Sequence, residues 1–250
     1  MGKVAFIRGS GTGIGPASAL EFAHEGVSLA LAGRRKHLLK TVVWEIRLLD
    51  GKGLALACDV TDRASVEAVR AAVAQCLGRL EIVVNNTGAV VVANAERTSD
   101  EDWSRIFKMN LTVAFLVSRG ALAALHKAGD GSILNTGLVL GIVALQQRAA
   151  YCAAKVGVAG LTKAMALDHA HQNIPVNCIC PSLVETELGI QSMSKVTDPE
   201  AERKRRSAEI PLGRLGKPEA VAQLAAYLPS DDSAWVTGAA IPLDGGLTAY

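Results

Sequence analysis

Short apolar runs alternate with segments of helical periodicity along most of the chain. The apolar runs lie at residues 3–8, 26–32, 54–58, 80–84, 174–180 and 239–243, and segments with helical spacing include 36–50, 103–127 and 149–171. Apolar runs without a regular polar alternation are typical of strands buried on both faces, and such strands separated by helices form parallel sheets. The pattern therefore predicts an α/β fold in which helices cover both faces of a parallel sheet.

Length and composition are those of one globular domain. The chain has 250 residues, of which 50% are hydrophobic and 20% are charged, and it contains no repeat or low-complexity tract. A chain of this length commonly forms one α/β unit with a large core. We therefore expect a single domain over residues 1–250.

The charge pattern argues against several classes of partner. A formal net charge of +2 gives no electrostatic reason to expect nucleic acid or a membrane surface. The basic run at residues 203–206 follows acidic residues and is interpreted as a solvated helix face. The sequence shows neither a signal-peptide apolar region nor an apolar run of membrane-spanning length, and its five cysteines lack metal-binding spacing. We expect a cytoplasmic protein without a metal site.

A glycine cluster follows the first predicted strand. Gly9, Gly11, Gly13 and Gly15 precede a helical segment with Pro16 in its first turn. A strand, a glycine turn and a helix N-terminus form a cradle for phosphate, because glycine lets the backbone approach and the helix supplies N–H donors. The alternative is a turn that serves chain geometry alone. We favour a dinucleotide site, which makes the predicted sheet a Rossmann-type doubly wound sheet.

The second apolar run ends at Gly33-Arg34-Arg35. In a dinucleotide-binding unit this strand end meets the adenosine ribose, where an acid binds the 2′-hydroxyl and an arginine suits a 2′-phosphate. No acid is present here. The sequence therefore favours NADP(H), with Arg34 as the phosphate ligand; NAD(H) is possible, and the alternative is that these arginines are surface charges.

Tyr151 and Lys155 lie four residues apart in an alanine-rich segment of helical pattern. Residues at this spacing share a helix face, so an ammonium can lie near the phenol and lower its pKa. Tyr151 would then be a usable general acid. Taken alone, the pair is weak evidence, because a Tyr and a Lys at this spacing more often reflect packing and a solvated charge.

With these landmarks, the sequence resembles the classical short-chain dehydrogenase/reductase family over essentially its whole length. The matching motifs are the glycine turn at residues 9–15, Asp59-Val60, Asn85-Asn86-Thr87-Gly88, Asn110, the step from Tyr151 to Lys155, Pro181-Ser182-Leu183-Val184-Glu185-Thr186, and the ending at residues 236–246. The resemblance implies a cofactor site formed by Gly9, Thr12, Gly13, Ile14, Gly15, Arg34, Asp59, Val60, Asn86, Gly88, Tyr151, Lys155, Pro181, Val184 and Thr186.

The resemblance also implies a mechanism. Tyr151 would protonate a carbonyl oxygen as hydride arrives from the nicotinamide, or take the proton back in the reverse direction. Lys155 would lower the pKa of Tyr151 and hold the nicotinamide ribose, and Asn110 would place a water in the proton path. A variable lid at about residues 187–210 would close over a small-molecule carbonyl or alcohol substrate.

Five residues depart from the family pattern: Arg8 replaces Thr, Thr87 replaces Ala, Ser182 replaces Gly, Ala154 replaces the Ser that usually precedes the lysine, and Leu138 stands at the catalytic serine position. A serine there donates a hydrogen bond to the substrate carbonyl, and leucine cannot. Thr136, two residues back along a strand, lies about 6–7 Å deeper and is a doubtful substitute. The bulk of Arg8 could distort the phosphate turn.

Two hypotheses follow. The first is an NAD(P)(H)-dependent oxidoreductase that interconverts a carbonyl and a secondary alcohol, with activity reduced for lack of the serine. The second is a catalytically silent cofactor-binding scaffold that acts by protein association. Intact Asn110, Tyr151 and Lys155 favour the enzyme. The apolar and small residues of segments 103–127 and 149–171 further indicate a homodimer or homotetramer.

Overall fold

Seven parallel strands form one continuous sheet. The computed structural model describes residues 2–59, 71–73, 75–139, 143–194 and 198–249, apart from the side chains of Ser192 and Ser194. The strands are β1 (Val4–Arg8), β2 (Ser28–Gly33), β3 (Gly53–Ala57), β4 (Ile82–Asn85), β5 (Ser132–Thr136), β6 (Val176–Pro181) and β7 (Ala240–Leu243). Six of these strands lie within about two residues of a predicted apolar run, whereas β5 lies outside all of those runs. The parallel sheet confirms the predicted α/β fold.

The order of the strands in the sheet is β3-β2-β1-β4-β5-β6-β7. The strands β2 and β3 therefore lie on one side of β1, and β4 to β7 lie on its other side. The topological switch point is between β1 and β4. Arg8 pairs in register with Asn85 at this point, and Asn85 pairs with Asn135 on β5. Ligands of open parallel sheets bind outside the carboxyl ends of the strands at such a crevice.

Helices cover both faces of the sheet. They are α1 (Ile14–His24), α2 (Lys36–Leu48), α3 (Asp100–Phe107), α4 (Val113–Ala128), α5 (Ala149–His169), α6 (Glu187–Ser194), α7 (Pro199–Ala208) and α8 (Pro218–Tyr227), and residues 71–73 and 75–77 are also helical. A π-helical turn, Lys108–Thr112, joins α3 to α4, and short 3₁₀ turns occupy Ala170–Gln172 and Asp231–Ser233.

The core is divided into two layers by the sheet. Ala5 and Ile7 of β1 face one layer, which includes α1, α2 and α8, whereas Val4 and Phe6 face the other, which includes α4. Successive side chains of a strand point to opposite faces, so a central strand with two buried faces must be apolar throughout. This requirement explains the uninterrupted apolar runs of the sequence.

The continuous helical segment 100–128 corrects one expectation. By length and composition alone it is long and apolar enough to cross a membrane, whereas the sequence analysis predicts no apolar run of that length. Core helices of soluble proteins meet the same test. One face of α4 is buried in the core. Its residues Val113, Val117 and Leu125 pack in the layer that also contains Val83 and Ile133 of the sheet.

The predicted lid region contains α6 and α7. Asp198 caps α7, accepting hydrogen bonds from the backbone N–H groups of Glu200 and Ala201. On α7, the basic run forms ion pairs with acidic neighbours: Arg203 with Glu185, Arg205 with Glu202 and Glu209, and Arg206 with Glu202. The charged helix face predicted for residues 203–206 is confirmed.

Candidate active site

The glycine turn between β1 and α1 has the shape of a phosphate cradle. A Cβ atom on Gly15 would lie 2.1 Å from the carbonyl oxygen of Gly9, and Gly13 adopts a φ of 70°, which disfavours other residues. Gly13 also precedes α1 without any side chain to cap the helix, and the first turn of α1 carries no acid. The uncapped N–H groups and the positive end of the helix dipole therefore fit the pyrophosphate of a dinucleotide.

The arginines after β2 stand beside this turn. Arg35 donates a hydrogen bond from Nη2 to Thr12 Oγ1 at 3.1 Å, and the same nitrogen lies 3.8 Å from Glu187 Oε2 at the start of α6. Arg34 is exposed. The sequence singled out Arg34 as the phosphate ligand, but Arg35 is the arginine that contacts the glycine turn. The sequence contained one indication that Arg35 contributes to the site, which is its position next to Arg34.

The turn after β4 connects the cofactor cleft to the predicted catalytic residues. Asn86 Nδ2 donates to the carbonyl oxygen of Gly9 at 3.4 Å, and Thr136 Oγ1 donates to Asn86 Oδ1 at 3.3 Å. A Cβ atom on Gly88 would lie 2.7 Å from Asn110 Oδ1 and 3.7 Å from Lys155 Nζ. The structure thus brings Asn86, Gly88, Asn110 and Lys155 together next to the glycine turn.

The segment after β6 closes the other side of the cleft. Pro181 ends β6, Val184 is buried, and Thr186 precedes α6, accepting a hydrogen bond from the backbone N–H of Gly189 at 3.0 Å. A Cβ atom on Gly13 would lie 3.0 Å from Thr186 Cγ2. Asp59 is exposed just beyond β3, at the same edge of the sheet. Val60, its predicted partner, lies outside the described residues.

Tyr151 and Lys155 lie on the inward face of α5, as their spacing predicts. Both are buried, and Lys155 Nζ lies 5.8 Å from the centre of the Tyr151 ring. Lys155 Nζ donates a hydrogen bond to the carbonyl oxygen of Thr136 at 2.9 Å. Tyr151 packs in an apolar cluster with Ile106, Val139, Ala150 and Ala154, bordered by Ala89, Val90, Val91, Phe107, Leu138, Cys152 and Leu247.

Burial sets the protonation of this pair. It raises the pKa of Tyr151 to about 12, with a smaller opposing effect of Arg148. It lowers the pKa of Lys155 to about 8, and the buried Arg8 adds to that lowering. The expected lowering of the pKa of Tyr151 by Lys155 is not found, because withdrawal of the phenolate from water dominates. At neutral pH Tyr151 is therefore a protonated phenol that can donate.

Asn110 lies in the π-helical turn between α3 and α4. Its Nδ2 donates to the carbonyl oxygens of Ala89 and Ile106, each at 2.8 Å, and its Oδ1 accepts from the N–H of Ala89 at 3.3 Å. Such insertions in helices occur frequently at functional sites, because they turn a side chain or carbonyl out of the regular ladder. Here the turn fixes the loop that packs against Tyr151.

Leu138, at the position that the resemblance assigns to the catalytic serine, packs against the apolar cluster that contains Tyr151. Thr136, which was considered as a substitute donor for the serine, already donates its hydroxyl hydrogen bond to Asn86 Oδ1. Ser182 is buried and donates from Oγ to the carbonyl oxygen of Asp244 at 3.4 Å. Among the described side chains around Tyr151, a replacement hydroxyl donor to a carbonyl oxygen is therefore not evident.

Arg8 is fully buried beneath the turn after β4. Its Nη2 donates to the carbonyl oxygen of Thr87 at 2.9 Å, whereas Nε and Nη1 find no acceptor among the described residues. Loss of water around the guanidinium lowers the pKa of Arg8 to about 9. The glycine turn keeps its positive φ at Gly9 and Gly13 with Arg8 in this position.

Comparison with known proteins agrees with this geometry. A family model described as enoyl-(acyl carrier protein) reductase matches residues 9–248. The chain is 39% identical over 246 residues to 3-oxoacyl-[acyl-carrier-protein] reductase FabG of Thermotoga maritima, covering 98% of each chain. It is 42% identical over 195 residues to inactive 2-(S)-hydroxypropyl-CoM dehydrogenase 2 of Xanthobacter autotrophicus, covering 78% of this chain and 84% of that protein.

Solved structures show the same fold with either cofactor bound. The 3-ketoacyl-(acyl-carrier-protein) reductase of Brucella melitensis, complexed with NADH, has a TM-score of 0.90 at 32% identity and covers 98% of both chains. A variant of actinorhodin polyketide ketoreductase with NADPH has a TM-score of 0.95 at 32% identity, covering 100% of this chain and 98% of that one.

Proposed function

Because the chain belongs to the short-chain dehydrogenase/reductase family, we propose that it is an NAD(P)(H)-dependent oxidoreductase that interconverts a carbonyl and a secondary alcohol, with reduced activity. The observation that carries this proposal is the convergence of Tyr151, Lys155 and Asn110 at the carboxyl ends of β4 and β5, next to an uncapped glycine turn.

The cofactor would lie along the cleft between the glycine turn and Lys155. Gly9, Thr12, Gly13, Ile14 and Gly15 would hold its pyrophosphate, and Asp59, Asn86, Gly88, Pro181, Val184 and Thr186 would line the remainder. When bound, the nicotinamide supplies or accepts a hydride. Arg34 and Arg35 support a preference for NADP(H), because two guanidinium groups suit a 2′-phosphate.

Tyr151 would act on the substrate oxygen. With a pKa of about 12, its phenol is protonated at neutral pH and can donate to a carbonyl oxygen that gains negative charge. Removal of a proton from an alcohol would require the phenolate, which burial disfavours. Near neutral pH the phenol is therefore in the form that donates a proton during carbonyl reduction, and Lys155 would hold the cofactor ribose close to the phenol.

The leucine at position 138 supports reduced activity. Removal of one hydrogen-bond donor to a developing oxyanion typically slows a reaction by about 10²–10³-fold. Tyr151 alone would then stabilise the oxygen, since Thr136 is bonded to Asn86.

The alternative is a catalytically silent scaffold that binds cofactor and acts by association. Leu138, Arg8 and Ser182 favour it, and a relative whose name describes it as inactive is 42% identical to this chain. The retained Tyr151, Lys155 and Asn110 favour the enzyme, because a scaffold has no chemical use for a buried lysine.

Assembly and location are further parts of the proposal. Phe115 on α4 and Val156 on α5 are 39% and 53% exposed, respectively, which supports a homodimer or homotetramer formed through these helices. We propose a small-molecule substrate as the partner, and neither nucleic acid nor a membrane. We also propose that the protein is located in the cytoplasm.

A panel of ketones and aldehydes tested with NADPH and NADH would examine the function, with Tyr151→Phe as the matched blank. We expect slow cofactor oxidation by the wild type that falls at least 10²-fold in Tyr151→Phe. Cofactor binding by a folded protein without turnover on any panel member would favour the silent scaffold.

A further inference from the structure

An ion pair joins the two sides of the cofactor cleft. Arg35 follows β2, and its Nη2 lies 3.8 Å from Oε2 of Glu187, the first residue of α6. In the sheet, β2 is separated from β6, the strand that leads to α6, by β1, β4 and β5. The two side chains therefore meet across the crevice at the topological switch point, which is where ligands of open parallel sheets bind.

The glycine turn contacts both ends of this ion pair. The same Nη2 of Arg35 donates a hydrogen bond to Thr12 Oγ1 at 3.1 Å. On the other side, a Cβ atom on Gly13 would lie 3.0 Å from Cγ2 of Thr186, the residue before Glu187. The guanidinium and the carboxylate are thus held next to the turn that is proposed to bind the pyrophosphate.

The carboxylate of Glu187 is fixed by its own helix. Its Oε1 accepts a hydrogen bond from Gln191 Nε2 at 3.4 Å, one turn further along α6. An acid in the first turn also interacts favourably with the helix dipole. The dipole accounts for an acid at this position, whereas the contact with Arg35 gives the same acid a second role at the cleft.

Ligands can reach both members of the pair. The side chains of Arg35 and Glu187 are 53% and 49% exposed, respectively. An ion pair with this exposure contributes little to stability, because water and salt screen it. It can therefore be opened at low cost by a ligand that offers Arg35 a stronger anion.

The two forms of the cofactor differ at this point. The sequence has no acid at the end of β2, but the fold brings Glu187 to the arginine that stands there. A 2′-phosphate carries a charge of about −1.5 to −2 at neutral pH, so it attracts Arg35 and is repelled by a neighbouring carboxylate. A ribose 2′-hydroxyl carries no charge and can donate a hydrogen bond to a carboxylate.

From this arrangement we propose that Glu187 is a determinant of cofactor choice, because its carboxylate competes with the 2′-phosphate of NADP(H) for Arg35 and so narrows the preference over NAD(H). This inference rests on the proposed function, in which the arginines after β2 face the 2′-phosphate. Binding of NADP(H) exchanges the carboxylate for the phosphate on Arg35. Binding of NAD(H) requires no such exchange.

The test measures the dissociation constants of NADPH and NADH by fluorescence titration at fixed ionic strength. The proteins are the wild type, Glu187→Gln and the control Glu200→Gln, which removes the same charge from the exposed first turn of α7. Glutamine has nearly the size of glutamate and can still bond with Gln191. We expect Glu187→Gln to bind NADPH about 3- to 10-fold more tightly and NADH within about 2-fold of the wild type. Glu200→Gln should change neither.

Combination with Arg35→Ala shows whether Glu187 acts through the arginine. In that background the carboxylate and the phosphate no longer share a guanidinium, so Glu187→Gln should give less than about half of its original gain in NADPH affinity on a logarithmic scale. A gain of the same size in both backgrounds would overturn the competition, because it would mean that Glu187 acts on the phosphate independently of Arg35.

Fragments of the cofactor isolate the 2′-phosphate from the nicotinamide half. Calorimetric titration of adenosine 2′,5′-bisphosphate and of AMP into the wild type and Glu187→Gln compares ligands that differ in this phosphate alone. A gain in affinity that is larger for the bisphosphate supports the proposal. An equal gain for both ligands overturns it.

The outcomes separate this inference from the proposed function. If the wild type binds both cofactors and Glu187→Gln leaves the ratio of their dissociation constants unchanged, Glu187 does not determine the choice and the oxidoreductase proposal stands. If neither folded protein binds either cofactor, both proposals are overturned. Binding of NADPH by Glu187→Gln but not by the wild type would support the inference in its strongest form.

Discussion

The guanidinium of Arg8 donates a hydrogen bond to the backbone carbonyl oxygen of Thr87 at 2.9 Å. The family resemblance predicts Thr and Ala at these two positions, and both residues lie at the switch point of the sheet, where Arg8 pairs in register with Asn85. Thr87 Oγ1 would be 2.6 Å from a Cβ atom on Gly9. The two departures from the expected pattern are thus in direct contact with each other.

Replacement of Arg8 by Met should stabilise the fold. Withdrawal of an ion from water costs several kcal/mol, and one hydrogen bond from a charged donor returns about 1.5–3 kcal/mol. Arg8→Met removes this cost but leaves the Thr87 carbonyl unpaired, so we expect a net gain of about 1 kcal/mol in the free energy of unfolding. Urea denaturation measures it, with Arg47→Met as an exposed control expected to change stability by less than about 0.5 kcal/mol. A loss above about 1 kcal/mol in Arg8→Met would show that the arginine stabilises the turn.

Lys155 should make stability depend on pH in the alkaline range. Its pKa falls from the ordinary 10.5 to about 8 on folding, so below pH 8 both states are protonated and the fold bears the full cost of the buried charge. Between pH 8 and 10.5 the folded state releases the proton while the unfolded state keeps it, and stability rises with pH.

The comparison of wild type with Lys155→Met isolates this effect. From pH 7 to pH 10, the wild type should gain about 2 kcal/mol of unfolding free energy relative to the variant, because the other titrating groups are common to both. Denaturation curves at the two pH values supply the difference. A constant difference between the proteins would mean that Lys155 remains charged throughout.

Leu138→Ser should increase catalysis. A serine beside Tyr151 would add a hydrogen bond that strengthens as charge develops on the carbonyl oxygen, raising kcat by about 10–10³-fold with little change in cofactor affinity. Since Leu138 packs at the edge of the Tyr151 cluster, we also expect a stability loss of about 1–3 kcal/mol. Steady-state kinetics on one accepted substrate measure the gain.

The gain from Leu138→Ser should disappear when Tyr151→Phe is added, because the two donors act on the same oxygen. Substantial wild-type activity that falls in Leu138→Ser would instead mean that another group supplies the donor and that Leu138 shapes the substrate pocket.

Cofactor preference should depend on the arginines after β2. We expect tighter binding of NADPH than of NADH, and a loss of about 10- to 100-fold in NADPH affinity in Arg34→Ala and Arg35→Ala, because each guanidinium would donate to the 2′-phosphate. NADH affinity should change little. Fluorescence titration of both cofactors measures this, and equal or tighter NADH binding by the wild type would contradict the preference.

The helices α4 and α5 should form an interface between copies of the chain. Light scattering at micromolar concentration should give a dimer or tetramer, and Val156→Glu, which places a charge on the exposed apolar face of α5, should dissociate it. Leu48→Glu, at a residue of α2 that is 64% exposed, is the matched control and should leave the assembly intact. A monomeric wild type would refute the interface.

Local pattern was sufficient for the fold class and for much of the candidate site. A strand buried on both faces must be apolar, so β1, β2 and β4 are visible as apolar runs without any knowledge of their neighbours. The glycine turn could likewise be predicted from the local sequence. At Gly13 a side chain would strain the backbone, and at Gly15 it would meet the carbonyl oxygen of Gly9. The pairing of Tyr151 with Lys155 follows from helical geometry alone.

The tertiary structure decided everything that depends on contacts between distant segments. Burial among residues that are far away in sequence sets the pKa values of Tyr151 and Lys155, and the raised pKa of Tyr151 is opposite to the lowering that its spacing predicted. Likewise Arg8 appeared in the sequence as a threat to the glycine turn, but packing directs its side chain to Thr87. These differences arise because electrostatic effects depend on distance and burial in space and not on position along the chain.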